Sequence, residues 1–428
     1  MLERGDAASC QSLPSARRKR PLTRVVRNAG ALVALLLAPA LVLVLLQASC
    51  AYAVLYLCQA VVAFGGLELS WWHFRIRKRL LIPFAYEHEN LSRDEYDAVV
   101  LDQVNPATCA VAPLATKFFC GRNWLAAWCV SIVVAGSVVA IVWACQGAIA
   151  NVEKSTIGWR MVLSCSALAA LSCSFCACFA PTPRDGFVIV MYQTCFTVSS
   201  LNTFLAHADD LVNDPELLDS LYVVLVGACV TVVWRIVASK DVLETLLTIT
   251  LDMFGLVYLV SPMMEMADFV DHPLAHKYRD KIATFWLVIS AAEVGHFLFQ
   301  TIRTRFPSLF QKCHHPLAKS ISTTYDLEDL VVSTCFGVAG AVVAIIAFPE
   351  HSFDVWELVI LTTGVVLSQV SRLAIDTFKS IARVTSAHGV KWSLWNNSVM
   401  TLASPYLVGA ILFHPYIKSL FTETSAST

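Results

Sequence analysis

Among the ionisable residues inside long apolar runs of the sequence, where a charge is costly, the candidates for chemistry are Arg235, Asp252, Glu293 and His296. Such groups at membrane depth usually pair with one another, line a polar cavity or bind an ion. Glu293 and His296 are three residues apart, so on a helix they share one face and can both reach a metal ion or a phosphate, or bond to each other. We expect Asp252 to pair with a neighbouring helix and Arg235 to extend toward the cytosolic interface.

The spacing of residues in the sequence excludes several other kinds of catalytic and metal site. A di-iron bundle needs a second Glu-x-x-His copy and further carboxylates, which the sequence lacks. The chain has no P-loop, no dinucleotide-binding glycine fingerprint and no Gly-x-Ser-x-Gly elbow. Most of its 15 cysteines lie in apolar runs as small hydrophobic residues, and no Cys/His spacing fits a closed zinc site.

The elements that position these residues are predicted to be membrane-spanning helices. Of 428 residues, 57% are hydrophobic and 15% are charged, which excludes a soluble domain, a disordered chain and a disulfide-stapled mini-domain. Apolar runs of spanning length lie at about 31–47, 51–67, 124–146, 161–181, 187–205, 220–237, 244–264, 282–300, 330–348, 354–371 and 397–414. The predicted fold is an all-α polytopic integral membrane protein with about 10–11 transmembrane helices.

The charge distribution predicts a cytosolic N-terminus. Residues 1–28 are rich in Arg and Lys, and basic residues in short segments next to transmembrane helices stay on the cytosolic side. Alternating spans then place the basic loops 75–79, 303–319 and 372–391 on the same side and the acidic loop 206–218 on the other. We expect an integral protein of the endoplasmic reticulum or another endomembrane. A net charge of −1 gives no reason to expect a nucleic-acid partner.

Four segments in the second half of the chain form an ordered series of motifs. They are Glu293-Val-Gly-His-Phe at the end of a span, Ile321-Ser-Thr-Thr-Tyr-Asp-Leu-Glu-Asp after a basic loop, Ile375-Asp-Thr-Phe-Lys-Ser-Ile-Ala-Arg, and Asn397-Ser with Pro405 in the last span. In order and spacing this series resembles the CDP-diacylglycerol synthase (phosphatidate cytidylyltransferase) family. The resemblance covers about residues 245–415, and fainter likeness over 25–75 includes Glu68.

The resemblance implies a CTP-dependent enzyme that makes CDP-diacylglycerol in phospholipid synthesis. The implied site residues are Asp376, Ser380 and Arg383 as catalytic groups, Ser322, Lys319, Lys379 and Lys391 as substrate-binding groups, and Glu293 and Asp376 as ligands of Mg²⁺. The implied partners are phosphatidate or a related phospholipid, CTP and the bilayer, and a homodimer is left open.

On this basis the chain is predicted to divide into six segments. They are a basic cytosolic tail at 1–28, a helical hairpin at 29–67, a cytosolic segment at 68–123, central transmembrane helices at 124–240, a cytidylyltransferase-like membrane domain at 241–415, and a polar tail at 416–428.

Departures from the family pattern leave the activity open. Glu293, Ile375 and Asn397 stand where the family has Asp, Gly and Asp, so a two-metal site lacks a ligand unless Asp326 or Glu328 supplies one. The chain is therefore either an active nucleotidyltransferase with a reduced ligand set or a catalytically degenerate relative that binds lipid or scaffolds a partner. A transporter is disfavoured, because the sequence shows no matching inverted halves.

Overall fold

The computed structural model describes residues 51–85, 108–145, 156–207, 218–239, 241–271, 279–306, 315–318, 322–347, 354–382 and 399–427. The helices are α1 (Ala51–Ala85), α2 (Ala112–Phe118), α3 (Asn123–Ala144), α4 (Thr156–Cys178), α5 (Pro183–His207), α6 (Ser220–Ala238), α7 (Val242–Gly255), α8 (Ser261–Asp271), α9 (Arg279–Arg305), α10 (Leu327–Ala347), α11 (Val355–Ile381) and α12 (Val399–Ser427). A π-helical turn, Leu256–Val260, joins α7 to α8, and strands β1 (Pro316–Ala318) and β2 (Ser322–Asp326) join α9 to α10. The predicted tail 1–28 and the first apolar run, 31–47, lie outside the described residues.

The described helices confirm the predicted fold class. Within the described ranges, ten helical segments are long and apolar enough to cross a bilayer, with α7, the π-helical turn and α8 forming one of them. The peripheral helices α3 and α6 expose apolar side chains such as Ile132 (61% exposed) and Val233 (60%), as expected of surfaces that face lipid. Besides these helices, the described residues form a two-stranded antiparallel hairpin, in which Ala318 pairs with Ser322.

Three helices extend beyond the apolar runs that predict them. Helix α1 continues through residues 68–85 of the predicted cytosolic segment, α11 continues to Ile381 through part of the predicted basic loop, and α12 includes all but the last residue of the predicted tail. In α1 the reason is packing, because Trp72 and Ile76 are buried and the next residue, Arg77, pairs with Asp185 of α5. A helix predicted from its apolar run ends at the first charged residues, even where residues far away in the sequence neutralise those charges.

Local capping explains where two of the helices begin. At the start of α5, the Thr182 hydroxyl accepts a hydrogen bond from the Asp185 backbone N–H (3.2 Å) and donates one to the Asp185 carboxylate (2.7 Å). Pro183 occupies the first helical turn, where its missing N–H costs nothing. Asp219 caps α6 by accepting from the Leu221 backbone N–H at 2.9 Å.

Two apolar clusters hold the bundle together. The larger one joins α1, α5, α8 and α12 around side chains such as Leu55, Phe196 and Leu407, and the second joins α9, α11 and α12 around Ile289 and Phe413. Within a bilayer such packing depends on close van der Waals contact, because lipid tails are as apolar as the helix faces. The second cluster lies beside the helices that carry the predicted site.

Glycine sets the close approach of α9 to α10. A Cβ atom added at Gly295 would lie 2.7 Å from Cβ of Phe336, and one added at Gly340 would lie 2.6 Å from Cβ of Ala291. Real Cβ atoms do not come this close, so the two helices pack at this distance only with glycine at both positions. Gly295 belongs to the first motif, and its role here is to bring Glu293 and His296 next to the neighbouring helices.

Candidate functional site

Glu293 is buried between α9 and α11. It is 1% exposed and forms an ion pair with the guanidinium of Arg372, which lies two turns before the end of α11. Gln369 adds a long contact, 3.5 Å from its Nε2 to Glu293 Oε1. A buried carboxylate needs such a partner, because its charge is costly away from water.

Asp376 lies on the same helix as Arg372. It follows Arg372 by one helical turn on α11 and precedes Lys379 by another, so the three side chains share one face of the helix. The charge of Asp376 acts on both Arg372 and Lys379, and that of Glu68 on α1 acts on Lys379. Glu293, Arg372, Asp376, Lys379 and Glu68 thus form a series of alternating charge, called the charge line below.

Lys379 and Glu68 tie the charge line to α12. The Lys379 ammonium bonds to the Thr401 hydroxyl and lies 5.9 Å from the ring centre of Trp72. Glu68 Oε2 accepts a hydrogen bond from the Met400 backbone N–H at 2.9 Å, where a carboxylate also interacts favourably with the dipole of α12. The part of α1 that contains Glu68 therefore meets the start of the last helix.

The segment before the first motif joins the same region. The hydroxyls of Tyr258 and Ser371 are 2.5 Å apart, and Ser371 in turn donates to the Ser404 carbonyl at 3.0 Å. Phe254 stacks on Phe378 with ring centres 4.3 Å apart. These contacts fix the π-helical region against α11 and hold α11 against α12.

Strand β2 brings the second motif to the charge-line helix. It begins at Ser322, ends at Asp326 and packs against α11. Asp326 is buried and forms an ion pair with Arg303 of α9. The second motif is therefore anchored to α9 at one end and lies beside α11.

The predicted site residues are only partly brought together. Asp376 and Lys379 are half-buried on α11, and Ser380 is exposed at its last turn. Ser322 is placed at the start of β2. Arg383, Lys319 and Lys391 lie outside the described residues, so their predicted roles stay predictions.

Both predicted magnesium ligands interact with the charge of Arg372, Glu293 through an ion pair and Asp376 at longer range. Arg372 lies between Glu293 and Asp376 along the charge line and already balances the first of them. Among the described residues no three His, Cys, Asp or Glu side chains group closely enough to hold a metal ion. The positive charge that pairs with Glu293 is that of Arg372, and the assignment of Glu293 and Asp376 as magnesium ligands stays a prediction.

His296 serves a different neighbour from Glu293. Its Nδ1 lies 2.9 Å from Oδ1 of Asp329 on α10, and Gln300 donates to the other oxygen of that carboxylate at 2.7 Å. Asp329 is fully buried. The Glu-x-x-His pair thus turns one residue toward α11 and the other toward α10.

A second charged cluster is buried among α1, α5, α6 and α7. Arg235 Nε donates to Asp252 at 2.6 Å, and its Nη2 donates to Asp185 at 2.8 Å. Arg77 approaches Asp185 within 3.5 Å, and His73 Nδ1 is 3.8 Å from Asp252. The prediction that Asp252 pairs with a neighbouring helix is confirmed. The expectation that Arg235 extends to the interface is wrong, because two carboxylates hold it at 3% exposure.

Arg372 is the site residue that the sequence motifs missed. It lies outside every motif and next to an apolar run, so its sequence position is that of an ordinary basic residue on the cytosolic side. Its spacing from Asp376 and Lys379, one and two helical turns, is the signal that could have placed it on the same face. No known family model, curated protein or solved structure matches this chain.

Proposed function

We propose that this chain is a phosphatidate cytidylyltransferase-like protein of phospholipid synthesis, which binds the phosphate groups of phosphatidate and CTP at the end of its α9, α11 and α12 helices. The observation that supports this most directly is the convergence of the motif segments. Glu293, strand β2, Asp376 and the start of α12 come from four separate parts of the chain and meet around α11. We place the site on the cytosolic side of an endomembrane, as the basic N-terminal segment suggests.

The chemistry requires positive charge around phosphates. An oxygen of the phosphatidate phosphate attacks the α-phosphorus of CTP, a new P–O bond forms, and the bond to pyrophosphate breaks. Negative charge builds up on the transferring group and on the leaving pyrophosphate, and preorganised cations stabilise it. Lys379 and Arg372 supply such charges, and the negative charge of Asp376 acts on both. Magnesium enters this proposal as the cation that accompanies CTP.

A second candidate is a relative that binds phospholipid but no longer transfers CMP. The pairing of Arg372 with Glu293 favours it, because the carboxylate that the resemblance assigns to a metal is already neutralised by the protein. Such a protein would keep the phosphate-binding surface and lose the turnover.

The test is CMP transfer from labelled CTP to phosphatidate by the purified full chain with magnesium in detergent. Active protein forms labelled CDP-diacylglycerol, and Asp376→Asn abolishes it. Asp354→Asn is the matched control, since Asp354 precedes the opposite end of the same helix and makes no side-chain capping bond. Absence of product from folded protein that still binds phosphatidate would replace the first candidate with the second, and full turnover by Asp376→Asn would overturn the site.

A further inference from the structure

Arg75 is a buried guanidinium without a described partner. The residue is 7% exposed, and its Nε and Nη1 atoms are buried with no hydrogen-bond partner in the described part of the chain. The other buried guanidinium groups on or near α1 have carboxylates, as Arg77 has Asp185 and Arg235 has Asp252. A buried cation without an anion is costly, so proteins seldom keep one without a ligand or ion to match it.

The position of Arg75 on α1 shows which way the side chain faces. Glu68, Trp72, Arg75 and Arg79 follow one another by four, three and four residues, so they form one stripe along the helix. The described contacts of the other three members all reach α11 and α12. Glu68 accepts from Met400, Trp72 lies under the Lys379 ammonium, and Arg79 donates to the Ile381 carbonyl at 2.7 Å. Arg75 lies between them, on the side of α1 that faces the charge line.

The opposite side of α1 is already satisfied by protein groups. His73 and Arg77 are one turn apart and approach Asp252 and Asp185 of the second cluster. The two faces of α1 therefore differ: one meets carboxylates of the protein, and the other carries Arg75 in the same stripe as the residues that contact α11 and α12.

The charge balance of this region leaves room for an anion. Among the described residues, the charge line and the α1 stripe together hold four cations, namely Arg75, Arg79, Arg372 and Lys379. They hold three carboxylates, namely Glu68, Glu293 and Asp376. One positive charge is left, and the buried nitrogens of Arg75 are the donors without acceptors. A guanidinium N–H forms a charge-assisted hydrogen bond to a phosphate oxygen.

The depth of Arg75 favours a phosphate at the membrane surface. The spanning part of α1, Val54–Leu81, has 28 residues, about 42 Å at 1.5 Å per residue, against about 30 Å of hydrocarbon. The helix is therefore longer than the hydrocarbon layer, and Arg75 lies within two turns of the end of this span, close to the level of the headgroups.

We propose that Arg75 binds the phosphate group of an anionic phospholipid between α1 and the end of α11. This inference deepens the proposed function, because it names a binding residue for the lipid substrate. CTP offers the same phosphate chemistry from the aqueous side, and the experiment separates the two sources.

The experiment measures phosphatidate binding to the full chain in phosphatidylcholine nanodiscs and, separately, CTP binding. Arg75→Met is expected to weaken phosphatidate binding by about tenfold or more, since a charge-assisted hydrogen bond is lost. Lys78→Met is the matched control: it removes one charge from the same helix three residues away, and its ammonium lies over the Phe74 ring. The affinity of Lys78→Met for phosphatidate should stay within about twofold of that of the native chain.

Thermal unfolding without phosphatidate distinguishes binding from a structural role. Arg75→Met should be no less stable than the native chain in pure phosphatidylcholine, because the substitution removes an unpaired buried charge. If Arg75→Met does not fold, Arg75→Lys keeps the charge but replaces the planar guanidinium with a compact ammonium, and it should bind phosphatidate more weakly than the native chain.

Equal weakening by Arg75→Met and Lys78→Met, or no weakening by either, overturns the proposal. A loss confined to CTP supports a phosphate site and assigns it to the nucleotide. Weakened phosphatidate binding in a chain that never transfers CMP supports the Arg75 site and rejects the enzymatic function, so the two failures are distinguishable.

Discussion

The carboxylate of Glu293 is paired with the guanidinium of Arg372, and both groups are buried, at 1% and 8% exposure. The two residues are 79 positions apart in the sequence. Their contact joins the first motif to α11, the helix that contains the third motif. A buried pair of this kind contributes little net stability, but breaking it leaves one charge without compensation. It fixes how α9 and α11 meet.

The first prediction concerns this pair. Arg372→Met should destabilise the protein by about 3 kcal/mol or more, because Glu293 keeps only the distant amide of Gln369. Glu293→Gln should cost less, because Arg372 keeps the charge of Asp376. Reversible unfolding in detergent micelles measures both.

The double variant Glu293→Gln with Arg372→Met is the control for this prediction. It should be more stable than Arg372→Met alone, because no uncompensated charge remains. Additive losses in the double variant would show that the two side chains are not coupled.

The second prediction concerns the buried cluster around Arg235. Asp252→Asn should destabilise the chain by about 3–5 kcal/mol, because Arg235 loses its 2.6 Å partner and the remaining Asp185 is shared with Arg77. Asp241→Asn is the matched control, since Asp241 lies exposed before the same helix and forms no side-chain cap. It should change stability by less than about 0.5 kcal/mol. Similar losses for the two variants would contradict a structural role for the cluster.

The helices were predictable where the sequence is uniformly apolar over the width of a bilayer. The extensions of α1 and α11 were not, because charges interrupt them. Arg77 is neutralised by Asp185, which is 108 residues away, and no local pattern records that distance. The same limit applies to Arg235, whose partners lie on two other helices.

The candidate site was also predictable only in part. Glu293 contacts α11 through Arg372, β2 packs against α11 and Asp376 lies on it, while the roles that the motifs assign to these residues stay predictions. The sequence did not predict that Arg372 pairs with Glu293, since this depends on the rotation of α11 against α9. Nor did it single out Arg75, because a basic residue near a span end is typical of any membrane protein.

The last prediction concerns the close packing of α9 on α10. Gly295→Ala should destabilise the protein by about 1–3 kcal/mol, because the added methyl group would lie 2.7 Å from Cβ and Cγ of Phe336. The shift needed to relieve this clash moves the turn that carries Glu293 and His296, so phosphatidate binding should weaken as well. Gly136→Ala is the matched control: Gly136 is also helical, and a Cβ there meets nothing within 4 Å. That variant should be as stable as the native chain or slightly more stable, since alanine favours helix. Unchanged stability and binding in Gly295→Ala would show that α9 and α10 do not pack this closely.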